Sequence, residues 1–223
     1  MDISADQVRV ALLSLVAFVV AVTVHEFGHA FVADRLGDRV PRLQGRLTLS
    51  PMAHIDPLGT ILLPLLGAFL PAQVPLLAWG KPVQTNPDNY TTKLSRRTGH
   101  MLVSLAGPLM NLVLALLTSV VFVALGKLGL LSPQLAMAML RYFLALNISL
   151  LFFNLLPVPP LDGGAVLAGI LPESMQPLIR GIERYGTFVL FLLIATPAMR
   201  VLMKPAAELT DAWAGALVRM VSG

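Results

Sequence analysis

The sequence predicts an all-α bundle embedded in a membrane. Three observations carry that prediction. The 223 residues are 56% hydrophobic and only 13% charged, with mean hydropathy +0.78, where a soluble domain is about 25% charged. Apolar runs recur near the roughly 20 residues that a spanning helix needs. The basic residues fall in short loops between those runs, as membrane orientation requires.

The elements follow in order. Asp2 and Asp6 precede the first apolar run and no basic cluster does, unlike a secretory leader. Residues 10–33 form the first span, apolar up to Val24 and then interrupted by His25, Glu26 and His29. The polar stretch 34–57 holds Arg35, Arg39, Arg42 and Arg46, and alternation within 42–49 predicts a short β-hairpin. Residues 59–79 are apolar, but Pro64, Pro71 and Pro75 interrupt them, each removing a backbone donor. A proline-broken, re-entrant segment is expected there. A second basic loop, 81–97, carries Lys81, Lys93, Arg96 and Arg97. Residues 101–126 and 136–156 read as spans, with Arg141 near one end of the second, where it can snorkel. Pro157, Pro159 and Pro160 stop that helix. Residues 182–203 read as the last span and 206–221, of mixed polarity, as an interfacial helix. About four transmembrane helices thus form one membrane-embedded domain over 1–223.

Composition excludes other classes. The net charge of +4 and pI of about 9.9 would suggest nucleic acid in a soluble protein. Here the loops account for the charge, and no nucleic-acid partner is expected. There is no cysteine, so a metal site must use His, Asp or Glu.

His25-Glu26-Phe27-Gly28-His29 is an HExxH motif. Residues four apart lie on one helix face, so both imidazoles reach one metal ion. Glu26 follows the first ligand, where its carboxylate can take a proton from water. Each ionisable group at mid-bilayer costs roughly 2.5 to 3.5 kcal/mol. Three within one turn need a compensating cation, and Zn2+ is the expected cofactor. Catalytic zinc has three protein ligands and an open position. Asp162 is the leading third ligand, because it follows a proline segment unable to continue a helix, and non-helical backbone at membrane depth is tolerated where it lines a cavity.

These motifs resemble the site-2 protease family of intramembrane metalloproteases. The resemblance rests on HExxH in an early span, Gly107-Pro108-Leu109-Met110-Asn111 in a middle one, and Asn154-Leu155-Leu156-Pro157-Val158-Pro159-Pro160-Leu161-Asp162-Gly163 in a later one. It covers about residues 10–172. It implies zinc held by His25, His29 and Asp162, Glu26 as base, and cleavage of transmembrane proteins or peptides. It also implies that Asn111 assists substrate or oxyanion binding; from position alone an interhelical hydrogen bond is equally open. The chain departs from larger members by lacking a span before the HExxH helix, by having no room for a PDZ or CBS domain, and by carrying the apolar stretch 59–79. It reads as a short form suited to a prokaryotic plasma membrane.

Other polar residues leave readings open. His54 and Asp56 are either a pair supporting the site or a turn before Pro57. Asn154 braces the unwound segment or is merely structural. Asn147 reads as an interhelical hydrogen bonder, and His100 as interfacial.

The charge rule places the first basic loop in the cytoplasm and the N-terminus outside. HExxH then lies toward the cytoplasmic end of its helix. A single crossing by 59–79 would deliver Asp162 to the opposite face. A re-entrant 59–79 returns both basic loops to the cytoplasmic side and brings Asp162 to the HExxH level. The rival readings are a membrane metal transporter, a non-catalytic binder of membrane helices, and a membrane zinc hydrolase acting on lipid or soluble peptide. Oligomeric state is not legible in the sequence.

Overall fold

The computed structural model of the chain describes residues 4–70, 78–91 and 93–222. Among the described residues all regular structure is helical. Helix α1, Ala5–Leu36, opens on a reciprocal cap: the Ser4 hydroxyl accepts from the Gln7 N–H, and the Gln7 side chain accepts from the Ser4 N–H. It ends at Gly37, whose φ of 110° suits a residue without a Cβ.

The next stretch corrects the hairpin expected over 42–49. Pro41 lies in the first turn of a short helix, α2 (Val40–Leu43), and Gly45 turns the chain with φ 68°. The two arginines that strand alternation would place on one face go opposite ways. Arg42 donates twice to the Asp34 carboxylate, each bond 2.8 Å, whereas Arg46 is buried.

A 3-10 turn, Pro51–Ala53, precedes a π-helical turn, Pro57–Leu62, which runs into α3, Leu63–Phe69. Asp56 caps this unit by accepting from the Leu58 and Gly59 N–H groups. The middle of the expected re-entrant segment, 71–77, lies outside the described residues. Its two flanks meet. Trp79 N–H donates to Gly59 O at 3.2 Å, Thr60 Oγ1 to Trp79 O at 2.8 Å, and Lys81 N–H to His54 O at 2.8 Å.

Four longer helices and one short one follow: α4 (Arg96–Lys127), α5 (Pro133–Asn154), the short α6 (Asp162–Ile170), α7 (Gln176–Ala195) and α8 (Ala198–Ser222). α4 is central, packed on α1, α5 and α6, while α8 packs on α5. Small residues permit the close approaches. Ala115, Ala206 and Ala214 sit beside Leu144, Ile148 and Leu151 in one buried cluster. A Cβ on Gly28 would lie 2.8 Å from Ala106 O.

α1, α4 and α5 are each long and apolar enough to cross a membrane, and α7 with α8 makes a fourth candidate if the bent pair is one span. That bend, 77°, divides the continuous span expected over 182–203. The break falls at Thr196, which is extended (φ −115°, ψ 161°), as the residue before Pro197 is forced to be. Leu116, Leu117, Val120 and Val121 of α4 and Phe188, Phe191 and Leu192 of α7 face outward. In water they would be a liability; against lipid tails they are solvated.

Candidate metal centre

α1 supplies His25 and His29, one turn apart, both buried. Asp162 arrives from another direction. α5 stops at Asn154, the chain crosses the proline-rich residues 155–161, and Asp162 opens α6. A carboxylate in a first helical turn is favoured by the helix dipole. The fold-back leaves no space for side chains at the next two positions. A Cβ on Gly163 would fall on the Leu155 and Leu156 carbonyls, and one on Gly164 would lie 2.8 Å from Pro159 N.

Three ligand atoms converge. His25 Nε2 and His29 Nε2 are 3.0 Å apart, and Asp162 Oδ2 lies 3.2 Å from the first and 3.4 Å from the second. Tetrahedral zinc with bonds of 2.0 to 2.1 Å holds its ligand atoms about 3.3 Å apart, so the triangle already has the size such an ion requires. Asp162 is the most accessible of the three, its side chain 18% exposed.

The far sides of both rings settle their tautomers. His29 Nδ1 is 2.7 Å from Val103 O, and His25 Nδ1 is 2.7 Å from Asn111 Oδ1. A carbonyl only accepts, so His29 Nδ1 donates. Asn111 is oriented by its own donors, because its Nδ2 gives hydrogen bonds to Ala21 O at 3.2 Å and Asn147 Oδ1 at 3.1 Å. Asn147 in turn donates to Phe143 O at 2.9 Å. Asn111 Oδ1 therefore accepts, and His25 Nδ1 donates. With both protons on Nδ1, two Nε2 lone pairs and a carboxylate oxygen point at one another. Such a cluster is repulsive unless a cation sits among them or an imidazole takes a second proton. The His25–His29–Asp162 group is one that could bind a metal.

α4 lies close against the rings. A Cβ on Gly107 would fall on the His29 imidazole and 2.7 Å from His25 Cε1. Pro108, one residue on, has no N–H to give the Ser104 carbonyl. Glu26, also buried, turns toward the segment after Trp79, where Val83 N–H donates to its Oε2 at 2.9 Å.

The structure thus brings together His25, His29 and Asp162, with Glu26 on the same helix and Asn111 behind His25. Asn111 is fully buried, and its Nδ2 donates to Ala21 O and Asn147 Oδ1, an interhelical arrangement. Asn147 is the interhelical hydrogen bonder expected. His54 lies under the loop, its Nε2 donating to Thr48 O at 2.8 Å. Asn154 donates back to Leu150 O on its own helix. His100 is half-buried in the first turns of α4. Residues missed from the sequence are Val103, acting through its carbonyl, Val83, acting through its N–H, and Arg46. Backbone groups carry no residue-type signal, and Arg46 resembled any other loop arginine.

Known proteins resemble the chain in sequence. The model of the family described as peptidase family M50 matches residues 13–136 and 129–196. "Putative zinc metalloprotease YwhC" of Bacillus subtilis (strain 168) is 35% identical over 187 residues, spanning 82% of this chain and 80% of that protein. "Putative zinc metalloprotease Rip2" of Mycobacterium tuberculosis (strain ATCC 25618 / H37Rv) is 34% identical over 197 residues, 85% of this chain and 69% of that protein. The protein of the same name from Mycolicibacterium smegmatis is 31% identical over 204 residues, 88% of this chain and 74% of its own. No solved structure gives a significant match. With a family model matching residues 13–136 and 129–196 and relatives matched over most of their length, the chain belongs to peptidase family M50, the site-2 protease family that its motifs resemble.

Proposed function

We propose that this chain is an intramembrane zinc metalloendopeptidase that cuts transmembrane proteins or peptides. The observation that carries the reading is the triangle of His25 Nε2, His29 Nε2 and Asp162 Oδ2, with both Nδ1 protons committed elsewhere. His25, His29 and Asp162 would hold the ion. Zinc, when bound, supplies a Lewis acid that polarises a carbonyl and brings the pKa of water to about 7. Val103 and Asn111 keep the imidazoles neutral and aimed. Glu26 takes the proton of the attacking water and passes it to the leaving amine as the peptide bond breaks. A substrate helix must unwind locally, since its carbonyls are otherwise bonded within the helix.

The same reading places the site in the membrane, toward the cytoplasmic side. The pairing of Trp79 with Gly59 supports a re-entrant 59–79, because a single crossing would part its ends by about 30 Å. The N-terminus then lies outside, both basic loops lie inside, and the chain belongs in a prokaryotic plasma membrane.

The test compares zinc content and cleavage of a labelled transmembrane peptide for the wild type and Glu26→Gln, purified in detergent. Zinc in both with cleavage by the wild type alone is expected. A metal transporter would keep its function after Glu26→Gln, and zinc in both with cleavage by neither would favour a non-catalytic binder of helices. Cleavage confined to a lipid or a soluble peptide would replace the substrate class.

A further inference from the structure

Arg46 is buried, 5% exposed, and among the described residues it forms no ion pair. A buried guanidinium is costly unless its N–H groups are used. Arg46 gives them to backbone carbonyls: Nη1 donates to Ala53 O and, at 3.1 Å, to Lys81 O, and Nη2 donates to Pro82 O at 3.0 Å. These bonds tie the 51–53 turn to residues 81–82. The very next backbone donor, Val83 N–H, is the one that holds Glu26 Oε2 at 2.9 Å.

Other contacts press the same segment onto α1. Lys81 N–H donates to His54 O, and Thr60 Oγ1 donates to Trp79 O. A Cβ on Gly80 would fall on Val22 and lie 3.6 Å from Glu26 Cγ. Val22 and Glu26 are one turn apart on α1, so the segment lies along the helix face that carries Glu26. Among the described residues no hydrogen bond engages the other oxygen, Oε1.

We propose that Arg46 is a positioning residue for Glu26, acting by clamping residues 79–83 so that Val83 N–H fixes one carboxylate oxygen and leaves the other free to accept a proton. The inference rests on the proteolytic reading for its catalytic meaning. Its geometry stands apart from turnover, and the test reads the two separately.

The experiment uses the full chain, zinc-loaded in detergent micelles with 15N-labelled valine, and follows exchange of the Val83 amide. Exchange is expected to be slow in the wild type and to accelerate about tenfold or more in Glu26→Ala and in Arg46→Ala, as expected when a hydrogen bond to a charged group is lost. Zinc content should be unchanged in both. Arg46→Ala should also lower kcat for the peptide about 10- to 100-fold, the usual effect of losing such a support, with KM nearly unchanged and part of the loss restored by Arg46→Lys. Where Arg46→Ala does not fold, Val83→Pro removes the N–H and should lower kcat likewise. Equal Val83 exchange in the wild type and Glu26→Ala would overturn the proposal. So would released exchange in Arg46→Ala with wild-type kcat. If the zinc-loaded wild type cleaves nothing, the proteolytic reading fails, while the exchange comparison still decides the clamp.

Discussion

Replacing Asn111 by leucine, of similar size, separates support of a ligand from contact with substrate. Asn111 is fully buried and joins His25 Nδ1, Ala21 O and Asn147 Oδ1. Leucine leaves the His25 N–H without an acceptor and both carbonyl oxygens without that donor. A buried unsatisfied group costs about 1 to 3 kcal/mol, and His25 relieves it by tilting its ring or shifting its proton to Nε2. Either response takes the Nε2 lone pair off the triangle. Zinc affinity should therefore fall about 10- to 100-fold, which is about 1.4 to 2.7 kcal/mol. Competition with a chelator of known affinity measures it, and kcat restored by saturating zinc checks that metal loss is the cause. Wild-type zinc affinity combined with a collapsed kcat would refute this reasoning and return Asn111 to the oxyanion role that the family resemblance implies.

Further outcomes follow from the same contacts. Gly107→Ala places a methyl group on the His29 ring; such overpacking costs about 1 to 3 kcal/mol, and zinc content should fall with little change in helix content by circular dichroism. Asp38→Asn should destabilise the fold by about 1 to 3 kcal/mol. Its buried carboxylate accepts from Val40 N–H, Asn86 N–H and Asn89 Nδ2, and an amide turns an N–H toward one of those donors. Thermal unfolding in detergent measures it, and the zinc content of the folded fraction should be unaffected.

The three converging residues, His25, His29 and Asp162, were legible in the sequence because each is an ionisable side chain where lipid-facing residues surround it. HExxH fixes two of them by helix geometry alone. Asp162 was legible through its prolines, which forbid a helix just before it. The placement of Asn111 was not, since an amide inside a span reads alike whether it faces a substrate or an imidazole. Its orientation is set by Asn147 and the Ala21 carbonyl, a relation between helices that spacing does not encode. The hairpin over 42–49 failed for a related reason. Alternation assumes that Arg42 and Arg46 share a face, whereas Asp34 captures one and three backbone carbonyls capture the other. The division of 182–203 was available in principle, because Pro197 forces Thr196 out of the helix. Pro205 stands inside α8 without ending it, so proline alone does not decide a boundary.

In the proposed function His25, His29 and Asp162 form one zinc site. Zinc-edge X-ray absorption on the purified wild type, His29→Ala and Asp162→Ala tests it most directly. About one zinc per wild-type chain is expected, with imidazole nitrogens at about 2.0 Å and a carboxylate oxygen in its shell, and loss of zinc from both variants. An unchanged spectrum and full occupancy in either variant would place the metal elsewhere.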